Sequence, residues 1–288
     1  MAAGTPLTRL TLGAASVADD LGYVALSDLA RALGDIPADF RVIGGHMVTM
    51  LAARWQLGHE LYRETGDVDL GITPIVARDH HVVGRLKDLD YTQVAGNRFA
   101  RGLSDIPVKI KDKEDPPRPE AFIDVLVPAY TSRARENVQV GDDLFTTEVP
   151  GLQLALARAP VTIALELRRL NGEILQCELP FPDEVSALVL KSLATTVRSK
   201  DTDTADVWRC LEIAFAAGLT PADFSRGVRA ESAAVIRSLF GRRRGAPVAA
   251  LAAEQRLSAE ATDARFTRIR ALIAHVLGPG LTPPSAAI

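Results

Sequence analysis

The segment RETGDVDLGI, Arg63 to Ile72, sets two carboxylates one residue apart inside an otherwise apolar run. Side chains alternate across a strand, so Asp67 and Asp69 share one face while Val68, Leu70 and Ile72 point into a core on the other. Two carboxylates a few ångströms apart repel, and one tends to take up a proton. A Mg²⁺ ion between them removes that conflict, because hard cations prefer carboxylate oxygens. A solvent-facing edge strand is the alternative, although Asp is disfavoured in strands. A third acid stands in AFIDVLV, Ala121 to Val127, the most strand-like stretch of the chain. Asp124 has Phe122 and Leu126 on its own side and Ile123, Val125 and Val127 on the other, which reads as a central strand covered on both faces. An isolated charge there is costly unless it is metal-bound or paired, for example with an arginine. Side by side, the two strands would bring Asp67, Asp69 and Asp124 together. Two divalent ions held there could grip a triphosphate and lower the pKa of an attacking hydroxyl.

The elements that must position these acids follow from periodicity. Residues 16–34 read as a helix, with Leu26, Leu29 and Leu33 on one face. Residues 39–43 read as a short strand that stops at Gly44-Gly45, and His46 to Leu57 as the helix that follows. A glycine pair at that junction lets backbone approach a phosphate closely, and the helix N-terminus adds N–H donors; a tight turn is the simpler explanation. Pro74 opens a further helix with Val82, Leu86 and Leu89 on one face and His80-His81 on its surface. Shorter, more polar strands are expected from Tyr91 to Ile110, a charged proline-rich loop from Lys111 to Glu120, and more β structure between Leu144 and Leu179, including Val161 to Leu165. After Pro182 the period changes to helical. Asp183 is a candidate N-cap, Val185, Leu188, Val189 and Leu193 form a face, a second helix runs from Thr204 to Ala217, Gly218 stops it, and Thr220-Pro221 starts another. Trp55 and Trp208 are expected in the core. The expected architecture is an α/β (α+β) domain with a mixed sheet over residues 1–180 and a helical domain over residues 181–288.

The order strand, Gly-Gly, helix, Arg-x-Thr-x-Asp-x-Asp, then an isolated aspartate strand resembles the polymerase-β-like nucleotidyltransferase superfamily, and more narrowly the AbiEii/MenT-type nucleotidyltransferase toxins. Arg63, Thr65, Asp67 and Asp69 stand at the positions of that run. The resemblance continues with a helical lysine, a basic residue, a Lys-Asp pair and a further acid, matched by Lys191, Arg198, Lys200-Asp201 and Asp206. The spacing departs at TDTAD, where Asp203 competes with Asp206. Lys191 and Arg198 are two turns apart and share a helix face that could meet triphosphate oxygens; a solvated helix end is the alternative. The resemblance implies a nucleotidyltransferase core followed by a helical domain, with two Mg²⁺ ions on Asp67, Asp69 and Asp124 and an NTP as substrate. Gly44, Gly45, Arg63, Thr65, Arg198, Lys200 and Asp201 would serve the nucleotide, and Lys191 and Asp206 the chemistry. It also implies a toxin that modifies the 3′ end of tRNA and is held in check by an antitoxin protein. The alternatives are a small-molecule, aminoglycoside-type nucleotidyltransferase and a nucleotide- or partner-binding module without catalysis.

Composition agrees with a folded enzyme-sized chain. Of 288 residues, 47% are hydrophobic, enough for a substantial core. Two cysteines form no disulfide framework or CxxC knuckle, the opening MAAGTPLTRL lacks a basic-then-apolar leader, and no apolar run nears the roughly 20 residues that span a bilayer. A cytoplasmic location without membrane contact is therefore expected. From Thr220 onward ten arginines face five acidic residues, a net of +5, which leaves −8 on residues 1–219. The basic tail section suits a polyanionic partner such as RNA, or a set of solvated helix faces. The turn GRRRG, Gly241 to Gly245, fits either reading.

Overall fold

A computed structural model describes residues 7–106, 119–130, 134–198 and 201–279. The chain divides into two compact units, Met1–Asp183 and Glu184–Ile288. The first is mixed α/β and the second helical. Among the described residues, no helix is long and apolar enough to cross a membrane.

Strand β1 (Thr8–Gly13), which the sequence pattern does not announce, opens the first unit. Helix α1 (Val17–Leu33) follows, and the Ser16 side chain caps it by accepting the Asp19 N–H at 3.1 Å. Leu26, Leu29 and Leu33 are fully buried as the spacing requires, each contributing roughly 1.5–3 kcal/mol. Next come β2 (Phe40–Ile43) and α2 (Gly44–Arg54), so the glycine pair is the start of the helix rather than a loop ahead of it. After β3 (Asp67–Ile72) the expected single helix is two: α3 (Pro74–Asp79) and α4 (Val82–Lys87). The break falls at His81, whose φ of 49° is left-handed and cannot continue a helix. His80 and His81 are thus the residues of a break, not of a helix surface. The unit continues through β4 (Thr92–Gln93), β5 (Arg98–Gly102), β6 (Glu120–Pro128), β7 (Val138–Val140), β8 (Leu144–Val149), α5 (Leu152–Ala157), β9 (Val161–Arg168) and β10 (Ile174–Phe181). The end of the expected polar strands and most of the expected Lys111–Glu120 loop lie outside the described residues.

The larger sheet runs β2-β3-β6-β5-β4, with β8 on β6 and β7 on β8. Only β3 and β8 are parallel to β6; β2 and β5 are antiparallel to their neighbours, so the sheet is mixed. Helix α1 packs on β3 and β6, where Val68, Leu70, Ile72, Ile123 and Val125 are sealed from water. The opposite side of β6 differs from the expectation of cover on both faces: Phe122 and Leu126 are only half-buried. That opening is where Asp124 lies. A second sheet pairs β9 with β1 in parallel and with β10 antiparallel.

The second unit holds α6 (Glu184–Val197), α7 (Asp201–Ala216), α8 (Gly227–Leu239), α9 (Ala246–Glu254) and α10 (Ala259–Val276). Gly218, at φ 71°, ends α7 in the left-handed conformation. Thr220-Pro221 starts a single 3₁₀ turn instead of a full helix, closed by reciprocal Thr220–Asp223 capping. Trp208 is buried, but Trp55 is half-buried at the end of α2 beneath the Arg54 guanidinium, 5.4 Å from its ring.

Candidate functional site

The parallel register of β3 on β6 sets Asp67 opposite Phe122 and Asp69 opposite Asp124. Register partners in a sheet project to the same face, and residues two apart share it, so the three aspartates occupy one patch. On the other edge of β6, β5 places Arg98 opposite Asp124. Its guanidinium grips Asp124 with two bonds: Nε donates to Oδ1 at 2.9 Å and Nη2 to Oδ2 at 2.6 Å. The same Nη2 donates to Asp67 Oδ2 at 3.1 Å. One nitrogen therefore touches both carboxylates, and the guanidinium also lies over the Phe122 ring at 5.1 Å. The hydrogen bonds to Asp124, reinforced by the charges of Asp67 and Asp69, push Arg98 above its ordinary value. Asp124 thus has the arginine partner that was the alternative reading of its sequence. No sequence signal marks Arg98, because its partner is 26 residues away and the register between the two strands is not written in either.

Local structure explains the residues ahead of Asp67. Thr65 Oγ1 donates to Asp67 Oδ1 at 3.1 Å and fixes that carboxylate from behind. The Arg63 backbone is pinned to α2, since Thr49 Oγ1 accepts from the Arg63 N–H and donates to its carbonyl, each at 3.2 Å. Gly44 has φ +72°, and a Cβ there would overlap the Asp69 carboxylate. A Cβ on Gly45 would stand 2.8 Å from Thr65 Oγ1. Both positions therefore need glycine for a local reason. The protein's own Asp69 carboxylate lies against the start of α2, where the positive end of the helix favours it. His46, the third residue of α2, is 3% exposed and its Nε2 has no hydrogen-bond partner. Burial lowers it to about 4, against the opposing pull of Asp67, so the ring is neutral at ordinary pH. It packs on Gly22 of α1, where a Cβ would come within 2.6 Å of Nε2.

The donor set of Asp67, Asp69 and Asp124 suits a hard divalent cation. Among the described residues, however, no group of three or more His, Cys, Asp or Glu stands in ligating geometry, and the Arg98 guanidinium takes the space between Asp67 and Asp124. A cation and Arg98 would have to exchange. The two cysteines offer no competing chemistry: both are free thiols pushed up to about 12 by burial, so neither is a thiolate at neutral pH.

No protein-family model matches the chain, and no curated protein matches it. Among solved structures, the chain is similar to the crystal structure of an antigenic nucleotidyltransferase-like protein from Paracoccidioides brasiliensis, with 16% identity and a TM-score of 0.42 over 81% of this chain and 92% of that one.

The residues expected from the helical part sit in the second unit. Lys191 does not lie on an open face with Arg198. It is buried, and its Nζ donates to Asp206 Oδ2 at 2.8 Å. Asp206 Oδ1 accepts from Arg209 Nη1 at 3.0 Å, and Arg209 Nη2 reaches Glu254 at 2.9 Å. The helical period gives the face of α6 but not the cover that α7 and α8 put over it. Arg198, half-exposed, holds the buried Asp203 with two bonds of 3.0 Å. Asp203 and Asp206 each have a cation, which accounts for both acids structurally. Asp201 opens α7, and Lys200 lies outside the described residues.

Proposed function

We propose that the chain is a Mg²⁺-dependent nucleotidyltransferase that moves an NMP group from an NTP to a hydroxyl and releases pyrophosphate. The observation that carries the reading is the register pairing of Asp69 with Asp124, with Asp67 on the same face and the glycine start of α2 against Asp69. Asp67, Asp69 and Asp124 would hold the cation, which when bound neutralises triphosphate charge and acidifies the acceptor hydroxyl. Asp124 would alternatively take the hydroxyl proton. The acceptor oxygen bonds to the α-phosphorus as the bond to the bridging oxygen breaks, and pyrophosphate leaves. Gly44, Gly45 and Arg63 would contact phosphate. Lys191 and Asp206, sealed against each other, are assigned to the stability of the second unit rather than to the nucleotide. Catalysis of this kind is mainly positioning and charge neutralisation.

The finer reading is that the acceptor is the 3′ end of tRNA and that the protein is the toxin of a toxin–antitoxin pair, restrained by a partner protein. The sequence resemblance and the arginine-rich second unit support it. One observation favours a different class: Arg98 already holds two of the three acids and offsets part of their charge without a metal, as in a non-catalytic nucleotide- or partner-binding module. Incubation with each radiolabelled NTP in turn, Mg²⁺ and either total tRNA or an aminoglycoside, with Asp69→Ala as control, separates the readings. Labelled tRNA that disappears in the variant supports the transferase. Nucleotide binding without transfer supports the module, and label on an aminoglycoside would move the acceptor to a small molecule.

A further inference from the structure

We propose that Arg98 is a built-in counter-ion of the acidic site, which must release Asp67 and Asp124 before a divalent cation enters and which then turns its guanidinium toward the triphosphate. This rests on the transferase reading of the same site. All four carboxylate oxygens of Asp67 and Asp124 already accept hydrogen bonds from the protein: Thr65 and Arg98 hold the oxygens of Asp67, and Arg98 alone holds both of Asp124. A cation bridging these two aspartates has to take the position that the Arg98 guanidinium holds between them.

Solvent access sets Arg98 apart from a structural arginine. Its side chain is 39% exposed, at the half-open side of β6, so the guanidinium can leave without crossing packed protein. Arg169, by contrast, is sealed among Asp20, Asp105 and Glu173 with a side-chain exposure of 5%. The Arg98 fork matches a carboxylate in the closed state and matches phosphate oxygens equally well once released. The exchange makes and breaks no covalent bond. It couples cation entry to the appearance of a positive donor beside the cation, so that metal and nucleotide would favour each other.

The coupling predicts that removing Arg98 tightens cation binding. If the open state is a tenth or less of the population, the apparent affinity rises about tenfold or more when the competitor is deleted. Mn²⁺ binding to the full chain without nucleotide, followed by the electron paramagnetic resonance of free Mn²⁺, reads this directly. Arg98→Gln should bind Mn²⁺ about tenfold more tightly than the wild type, with Arg98→Lys between them. Equal or weaker binding in both variants overturns the proposal. Should Arg98→Gln fail to fold, the wild type still decides. The Arg98 Nε–H resonance, assigned by its disappearance in Arg98→Lys, should shift on Mg²⁺ titration, and a resonance that stays fixed while Mg²⁺ binds overturns the proposal. Nucleotide transfer is scored separately. Transfer by the wild type with no gain in Mn²⁺ affinity in the variants removes the counter-ion role and keeps the transferase. A gain in affinity without transfer by any form does the reverse.

Discussion

Two ionic clusters sit in this molecule, one in each unit, the first with one cation between two acids and the second with two cations around one acid, and solvent separates their meaning. In the first unit Arg98 bridges Asp67 and Asp124, and the Arg98 and Asp67 side chains are 39% and 40% exposed. In the second, Lys191 and Arg209 bracket Asp206, and all three side chains are at most 5% exposed. An open cluster can trade its cation for another with water filling the gap. A sealed one cannot, because removing a member leaves its buried partners short of counter-charge with no water to make up the loss. The first cluster is therefore the one that suits the proposed chemistry and the second a lock between helices, although the sequence alone makes both look like candidates.

The sharpest way to break this comparison is at the open cluster. Asp69→Ala removes the acid that faces both Asp124 in register and the glycine start of α2. Under the transferase reading, labelled nucleotide transfer should fall about a thousandfold or more, since charge compensation at the reacting phosphate disappears. Thermal unfolding should stay close to wild type, because the side chain lies on the half-open face. Transfer that persists at even a tenth of the wild-type rate would sink the assignment.

The sealed cluster should show the opposite profile. Asp206→Ala takes the carboxylate from buried Lys191 and leaves Arg209 with Glu254, at a cost of about 3–5 kcal/mol. Chemical denaturation measures it. Combining Lys191→Met with Asp206→Leu should recover much of the stability, because a well-packed apolar pair of similar size is often no worse than the ion pair. If Asp206→Ala unfolded no more easily than wild type, the distinction between open and sealed clusters would fail.

These contrasts also mark what is legible without the structure. The aspartates announce themselves because an acid inside an apolar alternation violates strand chemistry, and the same alternation gives β3 and β6 almost to the residue. Arg98 does not, because an arginine on a polar strand violates nothing; only the β5–β6 register makes it the partner of Asp124. Strand β1 escapes for a related reason: it is short, alternates between half-buried and exposed positions, and is paired with β9 some 150 residues away. Lys191 misleads because a helical period states which side chains share a face and is silent on what covers that face. The α3–α4 break depends on a left-handed His81, a conformation with no glycine to advertise it. Local rules reach the elements, and the pairings between distant ones decide the site.

His46 tests the interior just beneath the open cluster. Its folded value of about 4 lies below the ordinary 6.5, chiefly through burial. In the window between those values the unfolded chain binds a proton that the native state refuses, so stability falls as the pH drops from about 6.5 toward 4 and levels off below. The full swing is roughly 3 kcal/mol. His46→Gln should flatten that limb of the stability–pH curve while the carboxylate-driven decline at lower pH remains. An unchanged slope between pH 6.5 and 4 would show that the ring is solvated, and with it the wall behind Asp67.

The smallest expected effect on stability completes the scale. In the turn Gly241–Gly245, Arg243 meets Asp263 at 2.6 Å, but both side chains are 54% exposed. Such pairs contribute about 0–1 kcal/mol, since water screens the attraction and two long side chains lose freedom to form it. Arg243→Ala should therefore leave the denaturation midpoint almost unmoved, in contrast to Asp206→Ala within the same unit. What the turn can do is meet phosphates. Under the proposed tRNA reading, replacing Arg242, Arg243 and Arg244 with Gln should reduce the dependence of tRNA affinity on salt by about one unit of logarithmic slope for each phosphate that no longer has an arginine beside it, with folding stability kept. A triple variant with an unchanged salt slope would remove this turn from the RNA surface and leave polyanion binding to other arginines of the unit.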